Sequence, residues 1–102
     1  MLMGKVVGTV VSTQKDEGLK GYKLMVVQQV DLEMKLKPAY IVAADAIGCG
    51  INELVIVVQG SSARIAERTK NKPVDAAVIA IVDSVEVGKS RVYSKFEKSE
   101  KS

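Results

Sequence analysis

Segment 74–82 restricts the possible folds of this chain more than any other stretch. Asp75 is its one polar residue and β-branched residues dominate, which is typical of a β-strand. Side chains of a strand alternate between its two sides, so Val78 would face one way and Ile79 and Ile81 the other. Both faces are then apolar, and both need a cover. Because the chain has little helix to supply one, the sequence predicts that another copy of the chain covers the second face.

Further strand-like segments are separated by polar or glycine-containing turns. The sequence predicts strands at 4–14, 22–30, 39–45 and 54–59, an edge strand at 91–94, a connector at 31–38 and a helix at 63–68. Gly8 inside the first strand indicates a bend or a bulge, as found where sheets curl into barrels. These elements predict an all-β fold with one short helix, namely a small OB-like antiparallel β-barrel.

The net charge of +3 is located in the last part of the chain. Residues 89–102 contain five basic and two acidic side chains, whereas residues 1–88 contain ten of each sign. We therefore predict one domain at 1–94 and a flexible charged tail at 95–102. The neutral body and the 4% aromatic content do not favour a nucleic-acid-binding surface.

The residue types that most catalytic sites need are scarce. There is no histidine, and the single Cys49 has no partner for an internal disulfide, which fits a reducing compartment. Segment 88–90 (Gly-Lys-Ser) resembles the end of a phosphate-binding loop, but Asp83 stands where that motif needs a glycine. The sequence thus predicts no catalytic, cofactor or metal site, and an assembly protein. The alternative is an OB-type module that binds single-stranded nucleic acid or a ligand.

No apolar run approaches the roughly 20 residues that a membrane-spanning helix needs. The first residues run directly into a strand pattern and lack the architecture of a signal peptide. We therefore expect a cytoplasmic protein that does not bind membranes.

Five motifs resemble the bacterial microcompartment vertex proteins, the EutN/CcmL family. They are Gly8 to Lys15, Leu19-x-Gly21-x-Lys23-Leu24, Ala43-x-Asp45-x-Ile47-Gly48-Cys49-Gly50, Gly60 to Arg64, and Pro73-x-Asp75-Ala76-Ala77-Val78-Ile79-x-Ile81-Val82-Asp83. They occur in the family's order and span most of residues 4–93. Cys49 departs from the pattern, since the family usually has alanine there, and this exchanges one small residue for another. The middle connector and the tail lie outside the resemblance.

The resemblance implies a barrel that assembles as a pentamer and has no catalytic activity. Such pentamers close the corners of a polyhedral protein shell that is otherwise tiled by hexameric proteins. The implied partners are other copies of the chain, in a homopentamer, and hexameric shell proteins. A head-to-tail contact repeated around an axis would close such a ring.

The same resemblance directs attention to the small residues of segment 60–64. Small residues allow close backbone approach, which a crowded five-fold axis requires, so we expect Gly60, Ser61 and Ser62 to line a narrow pore. Arg64 would reach a neighbouring subunit, with its planar guanidinium making two bonds. Its expected acceptors, chosen on charge alone, are Asp45 and Asp75, and the other expected interface residues are Ile79 and Ile81.

Overall fold

Five strands form a closed barrel, and a two-stranded hairpin packs against it. The computed structural model describes residues 1–13, 15, 17–19, 21–60, 63 and 75–95. The strands are β1 (Leu2–Val10), β2 (Lys23–Val30), β3 (Leu36–Asp45), β4 (Leu54–Gln59), β5 (Ala76–Ile81), β6 (Ser84–Val87) and β7 (Ser90–Ser94). The barrel order is β1-β2-β3-β5-β4, while β6 and β7 form the hairpin. The all-β prediction is therefore confirmed, and the barrel is closed.

One seam of the barrel is parallel. β3 and β5 pair in parallel through Ala44 with Ala77 and Asp45 with Val78, whereas the other barrel pairs are antiparallel. The prediction of an antiparallel barrel therefore holds for four of its five strand pairs.

The interior of the barrel is filled by small and β-branched side chains. Val6, Val27, Val55 and Val57 are fully buried there, together with Met25, Ala43, Ala76 and Val78. These residues recur at every second position, except where a bulge intervenes. The alternation follows from the two-residue period of a strand.

Much of the outer surface of β4 and β5 is covered by the chain itself. Val58 and Ala77 pack outside the barrel against Ala63, with Leu19, Tyr22 and Leu24 beside them. Leu54 and Val82 are covered by the hairpin residues Val85 and Tyr93. The inference that another copy must cover the second face of segment 74–82 was therefore wrong for Ala77 and Val82, because the sequence did not reveal that other parts of the chain cover them.

The bounds of β3 differ from the sequence prediction. The predicted connector at 31–38 ends in strand, since β3 begins at Leu36 and contains Pro38. Three residues, 37–39, lie opposite Gln29 between the pairs Gln28–Tyr40 and Val30–Leu36. Proline is tolerated in such an irregularity because no ladder bond is required of it there. The side-chain amide of Gln28 donates to the Lys37 carbonyl at 2.9 Å.

Other predicted segments are shifted or lie outside the described residues. The strand of segment 74–82 ends at Ile81; the amide of Val82 donates to the Leu54 carbonyl at 2.8 Å, and β6 begins at Ser84. The loop before β2 contains a short 3₁₀ turn, Glu17–Leu19. The predicted helix at 63–68 lies outside the described residues except Ala63, and so does the predicted tail except Lys95. Among the residues described, no helix is long and apolar enough to cross a membrane.

Candidate subunit interface

The outer surface of β1, β2 and β3 carries solvent-exposed apolar side chains. Tyr40 is 63% exposed and Val42 48% exposed, and Val7 and Val10 are also exposed, with Val26 half-buried between them. We call these five residues the open face. Gly8, Val26 and Val42 are paired across the three strands, so they form one row on that face. A row of this kind is suited to bury apolar area against another protein surface.

Gly8 leaves a shallow place in the open face. The register of β1 against β2 shifts between Val6 and Gly8, so Val7 is the extra residue of a bulge, as the sequence predicted near Gly8. A Cβ built on Gly8 would meet only Val26, at 3.9 Å, which is an ordinary contact. Gly8 is therefore not required by packing within the subunit.

Gly4, on the same strand, is in the opposite situation. A Cβ there would clash with the Val27 side chain and would lie 2.8 Å from the backbone oxygen of Gln28. Close approach of β1 to β2 explains this glycine. Gly4 is thus required for packing within the subunit, whereas Gly8 affects only the shape of the outer surface.

Asp45 organises the turn that follows β3. It is 6% exposed, and its carboxylate accepts hydrogen bonds from the amides of Ile47 and Gly48 at 3.1 and 3.0 Å and from that of Cys49 at 3.1 Å. Gly48 takes a positive φ of 89°, which glycine adopts without strain. Both carboxylate oxygens are used within the subunit. The expected pairing of Asp45 with Arg64 therefore has no support from the described contacts, and Asp45 acts as the support of its own turn.

Cys49 is an inert part of this turn. It is 4% exposed and lies in the interior cluster. Burial, followed by the charge and hydrogen bond of Asp45, raises the pKa of the Cys49 thiol to about 12. A thiol with such a pKa is not a nucleophile near neutral pH. Cys49 is therefore a packed structural side chain of this turn.

Segment 60–75 begins and ends at one place on the barrel. The amide of Gly60 donates to the carbonyl of Asp75 at 2.7 Å, and both residues are exposed. Gly60 has a φ of 64°. Ala63 is fully buried against the outer cluster. Ser61, Ser62 and Arg64 lie outside the described residues, so the structure brings together only Gly60 and Asp75 of the residues predicted for the pore and its contacts.

The two predicted interface isoleucines do not share a face. Across β4 and β5, Ile56 pairs with Ala80 and Val57 with Val78, so Ile79 is an extra residue. This bulge resets the alternation, and Ile81 packs against the interior cluster while Ile79 is 36% exposed. The assignment of Ile81 to an interface is corrected for this reason. Ile79 remains a predicted interface residue.

Other chemistry considered from the sequence finds no support in the described part of the chain. The Gly-Lys-Ser segment forms the hairpin connection, where Gly88 has a φ of 62°. No group of three or more histidine, cysteine, aspartate or glutamate residues there could hold a metal ion.

Known proteins share the sequence pattern and the fold of this chain. The model of the family described as ethanolamine utilisation protein EutN/carboxysome matches residues 1–83. The chain belongs to the EutN/CcmL family. Its resemblance to that family, seen in the five motifs, is thereby confirmed.

Relatives of this family match along most of their length. The chain is 49% identical to the carboxysome shell vertex protein CcmL of Nostoc sp. PCC 7120 over 96 residues, which are 93% of this chain and 95% of that protein. The structure of Gloeobacter violaceus CcmL is similar, with a TM-score of 0.90, 42% identity, and 95% and 100% of the two chains covered. The pentameric microcompartment shell protein GrpN of Rhodospirillum rubrum has a TM-score of 0.77 and 45% identity, covering 87% of this chain and 100% of GrpN.

The sequence did not reveal the open face, although part of its signal was present. In β3, Tyr40 and Val42 alternate with Ile41 and Ala43, so the first two lie on the outer side of the strand and the other two on the inner side. The outer positions are nevertheless apolar, and this is the signal of an interface. The apolar pattern of segment 74–82 directed the interface prediction to that strand, whereas 39–45 was predicted only as a short strand.

Proposed function

We propose that this chain forms homopentamers that occupy the vertices of a polyhedral bacterial microcompartment shell. The observation that carries the proposal is the likeness, at a TM-score of 0.77 and 45% identity, to a shell protein described as pentameric. Its curated relatives include CcmL and EutN, which are named as shell vertex proteins. The role is structural, and the chain is not an enzyme.

The surface of the subunit supports a ring of this kind. A head-to-tail ring needs two different patches that fit one another. The open face is one apolar patch. Ile47 and Ile79, which are both exposed, offer a second apolar patch. Asp45 and Val78 are directly paired, and Ile47 and Ile79 lie shortly after them in the chain. Packing of the first patch on the second would bury apolar area at each of five identical contacts.

We further propose that segment 60–64 surrounds the five-fold axis. The bond from Gly60 to Asp75 supports this, because it holds the first residue of the segment beside an exposed acidic residue at one place on the barrel. Gly60, Ser61 and Ser62 would line the pore, and Arg64 would bond to the neighbouring subunit. The proposed acceptor is Asp75, which is exposed.

The stoichiometry is tested by native mass spectrometry. A subunit has a mass of 11.0 kDa, so five times this mass gives 55 kDa for the ring. A single species at 11.0 kDa across the micromolar range would refute the pentamer. A six-subunit species would leave the ring contact but overturn the vertex role.

The shell role requires a second assay. We propose that the pentamer binds hexameric shell proteins, and co-expression with such proteins should give closed particles that become open or elongated without this chain. We also propose that it does not bind nucleic acid. Salt-dependent binding of single-stranded DNA by the purified ring would contradict that statement.

A further inference from the structure

A half-open hollow of about 290 Å³ lies where the end of the barrel meets the β6–β7 hairpin. Its walls are mostly apolar and come from β2, β3, β4 and the loop before β3, namely from Val30, Leu54, Leu36 and Met34. This volume is near the lower limit for ligand pockets, and it accommodates one or two side chains rather than a large cofactor. None of the residues that line the hollow belongs to the open face.

Three polar side chains also line the hollow, Lys5, Asn52 and Tyr93. Lys5 is half-buried. Among the described residues the ion pairs are made by Lys35, Arg91 and Lys95, and Lys5 contacts no carboxylate. An ammonium group beside apolar walls favours an anionic group from outside the subunit. The carboxamide of Asn52, exposed at the rim, offers both a donor and an acceptor, which are the groups that pair with a peptide bond.

The walls of the hollow are held in place before anything binds. Met34 and Asn52 are the two described non-glycine residues with positive φ, 66° and 74°, and both line the hollow. The Met34 conformation is fixed by Asp31, whose carbonyl accepts from the Met34 amide at 2.9 Å and whose carboxylate accepts from the amides of Glu33 and Lys35.

Asn52 is fixed to β1 in a similar way. Its backbone amide donates to the Val6 carbonyl at 2.7 Å, and the Val6 amide donates to the backbone carbonyl of Glu53 at 3.0 Å. Left-handed conformations of such residues carry a cost, and they concentrate at binding sites. Two of them facing one hollow, each secured by its own hydrogen bonds, indicate a rigid site rather than an accidental gap.

We propose that this hollow docks a peptide segment of a partner protein in which an apolar side chain stands next to a carboxylate. The apolar side chain would fill the space between Leu36 and Leu54, and the carboxylate would pair with Lys5. Asn52 would bond to the backbone of the segment. Met34, with its flexible thioether, would adjust to the shape of the side chain. The proposal does not depend on the number of subunits in the ring.

The probe is the peptide acetyl-Ser-Gly-Leu-Glu-Gly-Ser-amide, titrated into the full chain labelled with ¹³C at the methionine methyl groups. We expect a saturable shift of the Met34 signal, assigned with Met34→Leu, while the signal of the buried Met25 stays in place. A peptide with Gln in place of Glu and one with Ala in place of Leu should each bind more weakly.

Lys5→Gln tests the charge. It should weaken binding of the Glu peptide about fivefold, as expected for one partly exposed ion pair, and leave binding of the Gln peptide unchanged. The matched control is Lys37→Gln, which removes an exposed lysine of β3 that does not line the hollow and should bind as the wild type does. Leu36→Gln, at a half-exposed position, should weaken both peptides alike.

Three results would overturn the proposal. The first is no Met34 shift at millimolar peptide, or a shift that Lys5→Gln does not reduce. The second is loss of the native oligomer in Lys5→Gln, which would show that a second copy of the chain occupies the hollow. The third is binding that appears only in a chain ending at Lys95, which would show that its own tail fills the site.

Discussion

Replacing Val42 by aspartate is the most direct test of the open face. Val42 is 48% exposed in the isolated subunit and ends the row that it forms with Gly8 and Val26 on the open face. Full burial of a valine side chain stabilises by about 1.5–3 kcal/mol, so covering the exposed half contributes about 1 kcal/mol at each contact. Five contacts give about 5 kcal/mol per ring, a factor of more than about 10³ in the assembly constant.

The introduced carboxylate increases this loss. Its burial without a partner costs several kcal/mol more at each contact. We therefore expect Val42→Asp to be a folded monomer at micromolar concentration in native mass spectrometry and size-exclusion chromatography, with the far-ultraviolet circular dichroism of the wild type.

Val87→Asp is the matched control. Val87 is a strand valine with a similar exposure, 43%, but it lies on the hairpin outside the open face. The Val87→Asp variant controls for the lower β-propensity of aspartate, and the ring formed by this variant should remain intact. If Val42→Asp kept the ring while remaining folded, the open face would not be a subunit contact. Dissociation by both variants alike would also contradict the reasoning.

Three further predictions concern packing, titration and the axial segment. Gly4→Ala should lower the free energy of unfolding by about 1–3 kcal/mol in denaturant titrations, because its methyl group meets Val27, whereas Gly8→Ala should not change the stability of the subunit. The pKa of Cys49 is raised from 9.0 to about 12, so the folded state favours the neutral thiol. The contribution of this thiol to the free energy of unfolding is complete below pH 9 and is lost as the pH rises from 9 to 12. The Cys49→Ala variant should lack this loss. Arg64→Ala should promote dissociation of the ring at about 1–3 kcal/mol per contact while circular dichroism stays unchanged, and an equally stable ring would show that Arg64 is a surface residue.

The strands were predictable where one physical signal acted alone. Leu54 to Val58 is an uninterrupted apolar run, and the strand that contains it, Leu54–Gln59, has the predicted bounds. Segment 74–82 contains the predicted strand at Ala76–Ile81, but the faces of that strand were predicted wrongly, because an extra residue at Ile79 reverses the alternation. A bulge of this kind is set by the partner strand, which the local sequence does not specify.

Side-chain roles were harder to predict than strands. Asp45 was chosen as an interface acceptor on charge, yet three amides of its own turn engage it. The spacing to Gly48 was visible in the sequence, but a buried carboxylate and an exposed one look alike there. Pro38 misled the prediction in another way. It suggested a connector, but it lies inside β3, where the pairing with β2 is irregular. Arg64, Ser61 and Ser62 stay predictions.

The parallel seam between β3 and β5 has a consequence for the time course of folding. Ala44 and Ala77 meet there from positions 33 residues apart, and only two residue pairs close the seam. The neighbouring pair β1–β2 and the pair β2–β3 join strands that follow one another in the chain. Bringing distant segments together costs chain entropy before any contact compensates for it, so we expect the seam to close after the three-stranded meander has formed. Asp45 contributes both to its turn and to the seam, and Ile79 takes its outward position only once β5 is in place. A subunit would then complete its contact surface in a unimolecular folding step. At high protein concentration this step would limit ring formation, and the rate would no longer depend on the concentration of subunits.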